Sequence, residues 1–322
     1  MPNQNQVTVL LSHHVPEDIE PLVRAVSPHL RVLRQSADHA ELPAGAEDAE
    51  VLAWWSDREG LAEVSAHLPS LRWVQTPVAG IGDQRLDQAL GPRVLLTSAA
   101  GVYGDLVAEH AVALILALNR GLPKLLENQR RGQWLDEPNR TISGQTLGII
   151  GAGGIGRAAA RMVRPFGMRS IGVRRSAGRI PDLDETLPMD RLADLVAGSD
   201  AILLAAPLTD ATRGMVDAAF LRAMRDSAVL INVARGGLIV TDHLVQALTE
   251  GWIAGAGLDV TDPEPLPEGH PLWHAPNTII TPHHANPGDA SLEPVAQRFC
   301  ENLRRYLAGE ALLSVVDPAR GY

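Results

Sequence analysis

Short apolar runs alternate with segments of helical spacing along the first hundred residues of the chain. The segment 16–30, PEDIEPLVRAVSPHL, shows helical spacing between two such runs. Alternation of this kind predicts a parallel β-sheet whose strands are connected by crossover helices. The strands predicted in this part are 7–11, 51–55, 71–76 and 94–99.

A second series of the same kind follows a long predicted helix. That helix is expected to begin near Asp105, which is placed to cap its N-terminus, and to end at 119–121, Asn-Arg-Gly. A polar stretch, 130–144, precedes the second series, and a final helix is predicted over 293–307. The strands predicted in this part are 146–151, 169–173, 201–206, 228–234, 253–260 and 277–282.

The chain is expected to form two domains, because 322 residues exceed what one hydrophobic core usually organises. The first domain is predicted to comprise 1–100 and, by return of the chain, 288–322, and the second to comprise 101–287. The predicted fold class is α/β, with a parallel sheet flanked by helices in each domain.

Composition narrows the classes of partner. The net charge of −10 argues against nucleic acid and anionic membranes, because both select basic surfaces. Cys300 is the single cysteine, which suits a reducing cytoplasm, and the N-terminus shows no secretion signal. The apolar run 111–118, AVALILAL, falls short of the ~20 residues of a membrane span and predicts a buried helix.

A glycine-rich turn lies between a predicted strand and a predicted helix at residues 151–156, with Gly154 and Ile155 inside it. The sequence matches G-x-G-x-x-G, which is typical of dinucleotide binding when it occurs in a strand–turn–helix context. Gly151 permits the tight turn, Gly153 lets a pyrophosphate approach the backbone, and Gly156 allows close helix–strand packing. Glycines also cluster in ordinary tight turns, so the flanking pattern carries the interpretation.

The next predicted strand ends on arginine instead of an acidic residue. Sites selective for NAD usually place Asp or Glu here, where Arg174 stands, and an arginine can hold the 2′-phosphate of NADP. Arg175, Ser176 and Arg179 follow, and guanidinium groups suit bidentate phosphate contacts. A solvated basic loop is the alternative. The sequence therefore favours NADP, with NAD possible.

Polar residues follow three later strands, in the segments 232–237, 258–267 and 281–287. Because the carboxyl ends of parallel strands meet at one edge of a sheet, these segments are expected to face a ligand crevice. In order along the chain, they resemble segments of the D-isomer-specific 2-hydroxyacid dehydrogenases, among which are the NADP-dependent glyoxylate and hydroxypyruvate reductases. The resemblance runs from about residue 70 to the C-terminus and includes the helix 108–120 and the glycine turn.

The resemblance implies a Rossmann-type dinucleotide-binding domain at 101–287 and a flavodoxin-like substrate domain formed by 1–100 and 288–322. It also implies catalytic roles for Arg235, Glu264 and His283. Their chemistry agrees with those roles, because reducing a 2-oxo acid requires a proton donor and a cation for the substrate carboxylate. His283 is the natural donor, Glu264 would orient its ring, and Arg235 would hold carboxylate and carbonyl oxygens.

Taken alone, each of these residues also has a non-catalytic interpretation. Arg235 could be a solvated arginine in a turn, Glu264 an exposed acid between prolines, and His283 a histidine that caps a strand end. The neighbouring His284 leaves the assignment open by one residue. A metal site is disfavoured, because the spacing of zinc ligands is missing.

Further positions are assigned by the resemblance. Val78, Ala79 and Gly80 are implied to present backbone amides to the substrate, where an ordinary turn is the alternative. Trp54 and Trp55 either belong to the core or line the substrate pocket, and Glu109 and His110 are interpreted as interdomain residues. Cofactor contacts, in competition with core packing, are predicted for Pro207, Thr212, Val233, Ala234 and Asp259.

The sequence thus favours an NADP-preferring D-2-hydroxyacid dehydrogenase, acting mainly as a reductase of small 2-oxo acids such as glyoxylate or hydroxypyruvate. A homodimer in the cytoplasm is expected, without nucleic-acid or membrane partners. The alternatives are a dinucleotide-sensing regulatory protein similar to the C-terminal binding protein corepressors, and an enzyme similar to phosphoglycerate dehydrogenase.

Overall fold

The computed structural model describes residues 6–36, 42–79, 86–174, 178–286 and 288–317. The chain divides into two compact units, Met1–Val102 with Gly288–Tyr322, and Tyr103–Pro287.

Strands and helices alternate through both units. The strands are β1 Val7–Leu11, β2 Leu30–Arg34, β3 Ala49–Ala53, β4 Trp73–Gln75, β5 Leu95–Thr97, β6 Thr146–Ile150, β7 Arg169–Arg174, β8 Glu185–Pro188, β9 Ala201–Leu204, β10 Val229–Asn232, β11 Gly255–Leu258 and β12 Thr278–Ile280. The helices are α1 Ile19–Arg24, α2 Arg58–Ala66, α3 Gly104–Asn119, α4 Leu122–Arg130, α5 Gly154–Val163, α6 Leu192–Gly198, α7 Ala218–Ala223, α8 Thr241–Thr249 and α9 Gly288–Ala308.

The first unit is a five-stranded parallel sheet of order β2-β1-β3-β4-β5. Side chains alternate between its two faces, as the pleat requires. Val9 and Leu11 of β1 pack with Phe299 of α9 on one face, whereas Leu10 packs with Leu61 of α2 on the other. The sheet is therefore covered on both faces, and the last helix of the chain supplies part of the cover.

The second unit is a seven-stranded parallel sheet of order β12-β11-β10-β9-β6-β7-β8. The strand order reverses at β6, since the chain continues to β7 on one side and later returns to β9 on the other. In open parallel sheets a ligand binds at such a switch point, outside the carboxyl ends of the strands. Two parallel sheets with crossover helices confirm the predicted fold class.

Two edge strands were not predicted, and the cap predicted for one helix is wrong. The pattern predicted helix throughout 16–30, but α1 is short and the chain enters β2 at Leu30. The strand β8 was also missed. The prediction that Asp105 caps α3 is wrong, because the helix begins at Gly104 and the Asp105 carboxylate instead lies 2.7 Å from the Arg161 guanidinium.

The start of α3 has a packing reason. A Cβ atom on Gly104 would lie 3.1 Å from the backbone of Gly154, the first residue of α5. Glycine at position 104 therefore lets the two helices approach closely.

Within the described ranges, no single helix combines the length and the apolar composition of a membrane span. Only α3 and α4 taken together pass that test, and they are bent by 68° where they meet.

Candidate active site

The turn between β6 and α5 contains two glycines that the protein's own packing requires. Gly151 has a φ of +96°, and a Cβ atom there would overlap the backbone of Ala205 and Ala206 after β9. A Cβ atom on Gly156 would lie 2.7 Å from Cγ2 of Ile149 and 2.8 Å from the carbonyl oxygen of Gly151. The absence of a side chain at both positions therefore lets α5 pack closely against the sheet.

Gly153 differs, because no described atom would lie within 4 Å of a Cβ atom at that position. Its φ of −80° does not require glycine either. The residue stands at the N-cap of α5, where the first backbone N–H groups lack intrahelical acceptors and the helix dipole attracts anions. Space at this helix end fits a dinucleotide pyrophosphate.

The region predicted to select the cofactor is described only in part. Of Arg174 the structure describes the backbone, which ends β7, and Arg175 and Ser176 lie outside the described residues. Arg179, Pro207 and Thr212 are described. The Thr212 hydroxyl donates to the carbonyl of Pro207 at 2.7 Å and accepts the Thr209 amide at 2.8 Å, so it braces its own loop.

The loop that carries Arg235 is fixed by a buried asparagine. The side-chain amide of Asn232 donates to the carbonyl of Arg235 at 2.9 Å, and its oxygen accepts the amide of Ala234 at 3.1 Å. Arg235 is half-buried and donates from Nη1 to the carbonyl of Ala234 at 2.7 Å. Val233 and Ala234 themselves are buried.

The loop after β10 also packs directly on the loop after β11. A Cβ atom on Gly236 would overlap the carbonyl of Thr261, so glycine is needed where the two backbones meet. The Thr241 hydroxyl donates to the Asp262 carbonyl at 2.6 Å across the same contact. These contacts join the arginine loop to the loop of Glu264.

Glu264 and His283 form an acid–imidazole pair. Oε1 of Glu264 lies 2.6 Å from Nδ1 of His283, and the two side chains are 40% and 49% exposed. Since an ionised carboxylate only accepts hydrogen bonds, Nδ1 carries the proton. Nε2, at the opposite side of the ring, is then the nitrogen left to exchange a proton with a ligand.

The backbone of His283 adopts an uncommon conformation, with a φ of +52°. Its amide donates to the carbonyls of Asp259 at 2.8 Å and Thr281 at 2.9 Å. The following amides donate to the buried carboxylate of Asp259: His284 to Oδ1 at 2.7 Å and Ala285 to Oδ2 at 3.0 Å. The contact of Asp259 with a cofactor stays a prediction. The structure shows its contacts with the loop that follows β12 and carries His283, which is called the histidine loop below.

The described residues among those predicted in the first unit lie near the carboxyl ends of β3 and β4. Val78 is half-buried, and its carbonyl accepts the Ala99 amide at 2.8 Å. Ala79 is exposed, and Gly80 lies outside the described residues. Trp54 is buried and its indole donates to the Asp57 carbonyl at 2.8 Å, whereas Trp55 is half-buried.

Three polar residues that support the site were missed or interpreted differently from sequence: Asn232, Thr281 and His110. Asn232 had a local signal, because asparagine often bonds to the backbone two residues further on. Oγ1 of Thr281 lies 2.9 Å from Nε2 of His110, although the two residues are 171 positions apart in the sequence. No local sequence pattern predicts a contact of this kind.

Comparison with known proteins gives the family. Residues 112–285 match the NAD binding domain of the D-isomer specific 2-hydroxyacid dehydrogenases. The chain is 34% identical to a human glyoxylate reductase/hydroxypyruvate reductase over 85% of this chain and 86% of that protein. The chain belongs to the D-isomer specific 2-hydroxyacid dehydrogenase family, whose members are NAD(P)-dependent oxidoreductases acting on CH–OH groups.

Solved structures agree with this assignment. A D-isomer specific 2-hydroxyacid dehydrogenase from Xanthobacter autotrophicus, in complex with NADPH and MES, is 30% identical, with a TM-score of 0.86 over 98% of this chain and 100% of that chain. An NADPH-dependent glyoxylate/hydroxypyruvate reductase from Sinorhizobium meliloti, in complex with NADP and sulfate, is 26% identical, with a TM-score of 0.83 over 98% of this chain and 100% of that chain.

Proposed function

We propose that this protein is an NADP-preferring D-2-hydroxyacid dehydrogenase that acts mainly as a reductase of small 2-oxo acids such as glyoxylate and hydroxypyruvate. The observation that carries the proposal is the Glu264–His283 pair, 2.6 Å apart, on loops at the same sheet edge as the glycine turn. The names of the human and Sinorhizobium relatives support the substrate class.

His283 is the proposed proton donor. Reduced nicotinamide supplies a hydride to the substrate carbon, and the carbonyl oxygen must gain a proton as its charge develops. Nε2 of His283 delivers that proton, while the Glu264 carboxylate accepts the hydrogen bond from Nδ1 and fixes the orientation of the ring. In the direction of oxidation the neutral ring accepts the proton from the hydroxyl group.

Arg235 is the proposed electrophilic group. A guanidinium can bind the substrate carboxylate and the neighbouring carbonyl oxygen, which polarises the bond that receives the hydride. The hydrogen bonds of the Asn232 side chain and the close backbone contact at Gly236 keep the backbone of Arg235 in place. The charge of Arg235 is therefore positioned before the substrate arrives. Val78, Ala79 and Gly80 are proposed to add backbone amides to the substrate carboxylate.

The preference for NADP rests on the end of β7. Arg174 stands where NAD-selective sites carry an acid, and Arg175, Ser176 and Arg179 add two guanidinium groups and a hydroxyl. The two solved relatives bound to NADPH or NADP support this choice. The remaining proposed cofactor contacts come from the glycine turn with Ile155 and from Pro207, Thr212, Val233, Ala234 and Asp259.

A homodimer is proposed for the second unit. In α4 and in the polar stretch that follows it, four large apolar side chains are exposed, and Trp134 is exposed completely. The four residues are Leu122, Leu126, Trp134 and Leu135. Large apolar and aromatic side chains are common in interfaces, and sedimentation of wild type and of Trp134→Ser tests whether these residues belong to one. A monomeric wild type would contradict the dimer.

The substrate class and the cofactor are tested together by a panel of 2-oxo acids assayed with NADPH and NADH. The proposal expects kcat/KM to be highest for small acids such as glyoxylate or hydroxypyruvate, and higher with NADPH for the same acid. A preference for NADH would overturn the cofactor assignment alone. Absence of turnover with every acid and both coenzymes would overturn the proposed function.

A further inference from the structure

The hydroxyl of Thr281 lies between an imidazole and a carboxylate beneath the histidine loop. Thr281 Oγ1 is 2.5 Å from Oδ1 of Asp259 and 2.9 Å from Nε2 of His110. We propose that His110, Thr281 and Asp259 form a brace that holds the backbone of His283 in position for proton transfer. The proposal rests on the proposed function and assigns these three side chains as positioning residues.

The direction of the hydrogen bonds follows from donor and acceptor capacity. An ionised carboxylate only accepts, so the Thr281 hydroxyl uses its single proton toward Asp259. The oxygen of Thr281 must then accept from His110, which places a proton on Nε2 of that ring. The result is a directed chain from His110 through Thr281 to Asp259, in which each bond polarises the next.

Asp259 transmits the brace to the backbone of the histidine loop. Its side chain is 1% exposed, and a buried carboxylate needs hydrogen-bond partners in place of water. Those partners are the amides of His284 and Ala285 and the hydroxyl of Thr281. The charge therefore fixes both sides of His283 along the chain.

His283 needs such support because of its backbone. A φ of +52° is uncommon for a residue other than glycine, and such a conformation persists only when the surrounding structure determines it. His110 supplies a rigid origin for the brace, since it lies in α3 among the fully buried Ala108 and Ala111. Loss of the brace is expected to leave the imidazole present but less well aimed.

The test compares Thr281→Val, which keeps the shape and removes the hydroxyl, with Thr281→Ser, which restores it. Ser199→Ala is the matched control, because it removes another buried hydroxyl of the same unit, bonded to the Leu195 carbonyl at 2.6 Å. For each variant, kcat and KM for glyoxylate, the dissociation constant of NADPH and the melting temperature are measured.

Thr281→Val is expected to lower kcat on the order of tenfold or more, as small misplacements of a reacting group do, with NADPH affinity within about twofold of wild type. Thr281→Ser should recover most of kcat, and Ser199→Ala should change melting temperature but not kcat. The brace is overturned if Thr281→Val retains wild-type kcat, if Thr281→Ser is equally defective, or if NADPH affinity falls in parallel with kcat.

A second pair keeps the test open if Thr281→Val fails to fold. His110→Gln retains an N–H donor and His110→Leu removes it, so only His110→Leu should lower kcat. Equal activity of the two variants would overturn the brace.

If wild type reduces no 2-oxo acid, the proposed function fails, and the brace is tested without an activity assay. The measurement is then the NMR chemical shifts of the ring C–H groups of His283, which are assigned by their loss in His283→Ala. These chemical shifts should change in Thr281→Val and stay as in wild type in Thr281→Ser. Unchanged chemical shifts in Thr281→Val would reject the brace.

Discussion

Glu264 and His283 meet through a single contact of 2.6 Å between Oε1 and Nδ1, although they lie on different loops of the second unit. In the proposed mechanism this contact gives the two ring nitrogens different tasks, because the nitrogen bound to the carboxylate cannot also serve the substrate. It also separates His283 from His284, whose described contact is a backbone hydrogen bond to Asp259 at 2.7 Å.

His283→Ala is expected to lower kcat for 2-oxo acid reduction by roughly 10²- to 10⁴-fold, because it removes the proposed general acid. The matched control is His284→Ala, which removes the neighbouring imidazole and keeps the backbone amide that bonds to Asp259. It should retain activity close to wild type. Steady-state kinetics with NADPH and glyoxylate measure both. Retained reduction in His283→Ala with loss in His284→Ala would move the assignment by one residue.

Glu264→Gln is expected to lower kcat for reduction on the order of tenfold or more, because the ring of His283 is then no longer held in one orientation. The amide keeps the size of the side chain but removes the carboxylate that accepts the hydrogen bond from Nδ1. Steady-state kinetics with NADPH and glyoxylate measure the loss, and an unchanged kcat would show that Glu264 does not act on His283.

Two glycines of the same turn are predicted to fail in different ways. Gly151→Ala should lower the free energy of unfolding by about 3 kcal/mol or more, because its φ of +96° and the backbone of Ala206 leave no room for a Cβ atom. Gly153→Ala should cost about 1 kcal/mol or less and instead weaken NADPH binding. Denaturant unfolding and NADPH titration separate the two effects. Equal losses of stability would contradict a turn kept open for a ligand at Gly153.

Asp184 is predicted to make part of the fold's stability depend on pH. Hydrogen bonds from the Ser170 amide at 2.8 Å and the Ser170 hydroxyl at 3.0 Å lower the pKa of this carboxyl below its usual 3.8, against the opposing effect of burial. A depressed pKa stabilises the fold above the unfolded value, and that contribution is lost as pH falls below 3.8 through the folded value.

Asp184→Asn should therefore destabilise the protein by about 1 kcal/mol at neutral pH, a value that allows for partial exposure of the side chain. Its free energy of unfolding should decline less than that of wild type as pH falls below 3.8. Urea unfolding at a series of pH values measures the difference. Parallel pH dependences of the two proteins would exclude Asp184 as the titrating group.

The sequence was sufficient to predict the central strands, because each is a short apolar run whose residues are buried on both faces of a parallel sheet. It was insufficient for β2 and β8, which lie at sheet edges and contain arginine, glutamate or proline. Those strands are defined by pairing with a neighbour, and a one-dimensional pattern does not contain the neighbour. The helix α3 begins at Gly104, next to the predicted start near Asp105, and only the capping role of Asp105 was wrong. The close approach of Gly154 to Gly104 is likewise a contact that a one-dimensional pattern does not contain.

The candidate site shows the same division. The sequence was sufficient to predict the candidate catalytic residues, because they follow strands and lie in segments that resemble those of a known family. These residues are Arg235, Glu264 and His283. The supports Thr281 and His110 are separated by 171 residues and meet only after folding. The residues proposed to hold His283 in place were therefore harder to predict than His283 itself.

The central claim, hydride transfer to C2 of a 2-oxo acid with a proton from His283, is tested most directly by isotope transfer. Wild type and His283→Ala are incubated with hydroxypyruvate and NADPH carrying deuterium at the transferable position, and the product is analysed by NMR and chiral chromatography. The account predicts a D-2-hydroxy acid with deuterium at C2 from wild type, formed at least about a hundredfold more slowly by the variant. A product without deuterium at C2, an L-product, or equal rates in the two proteins would contradict it.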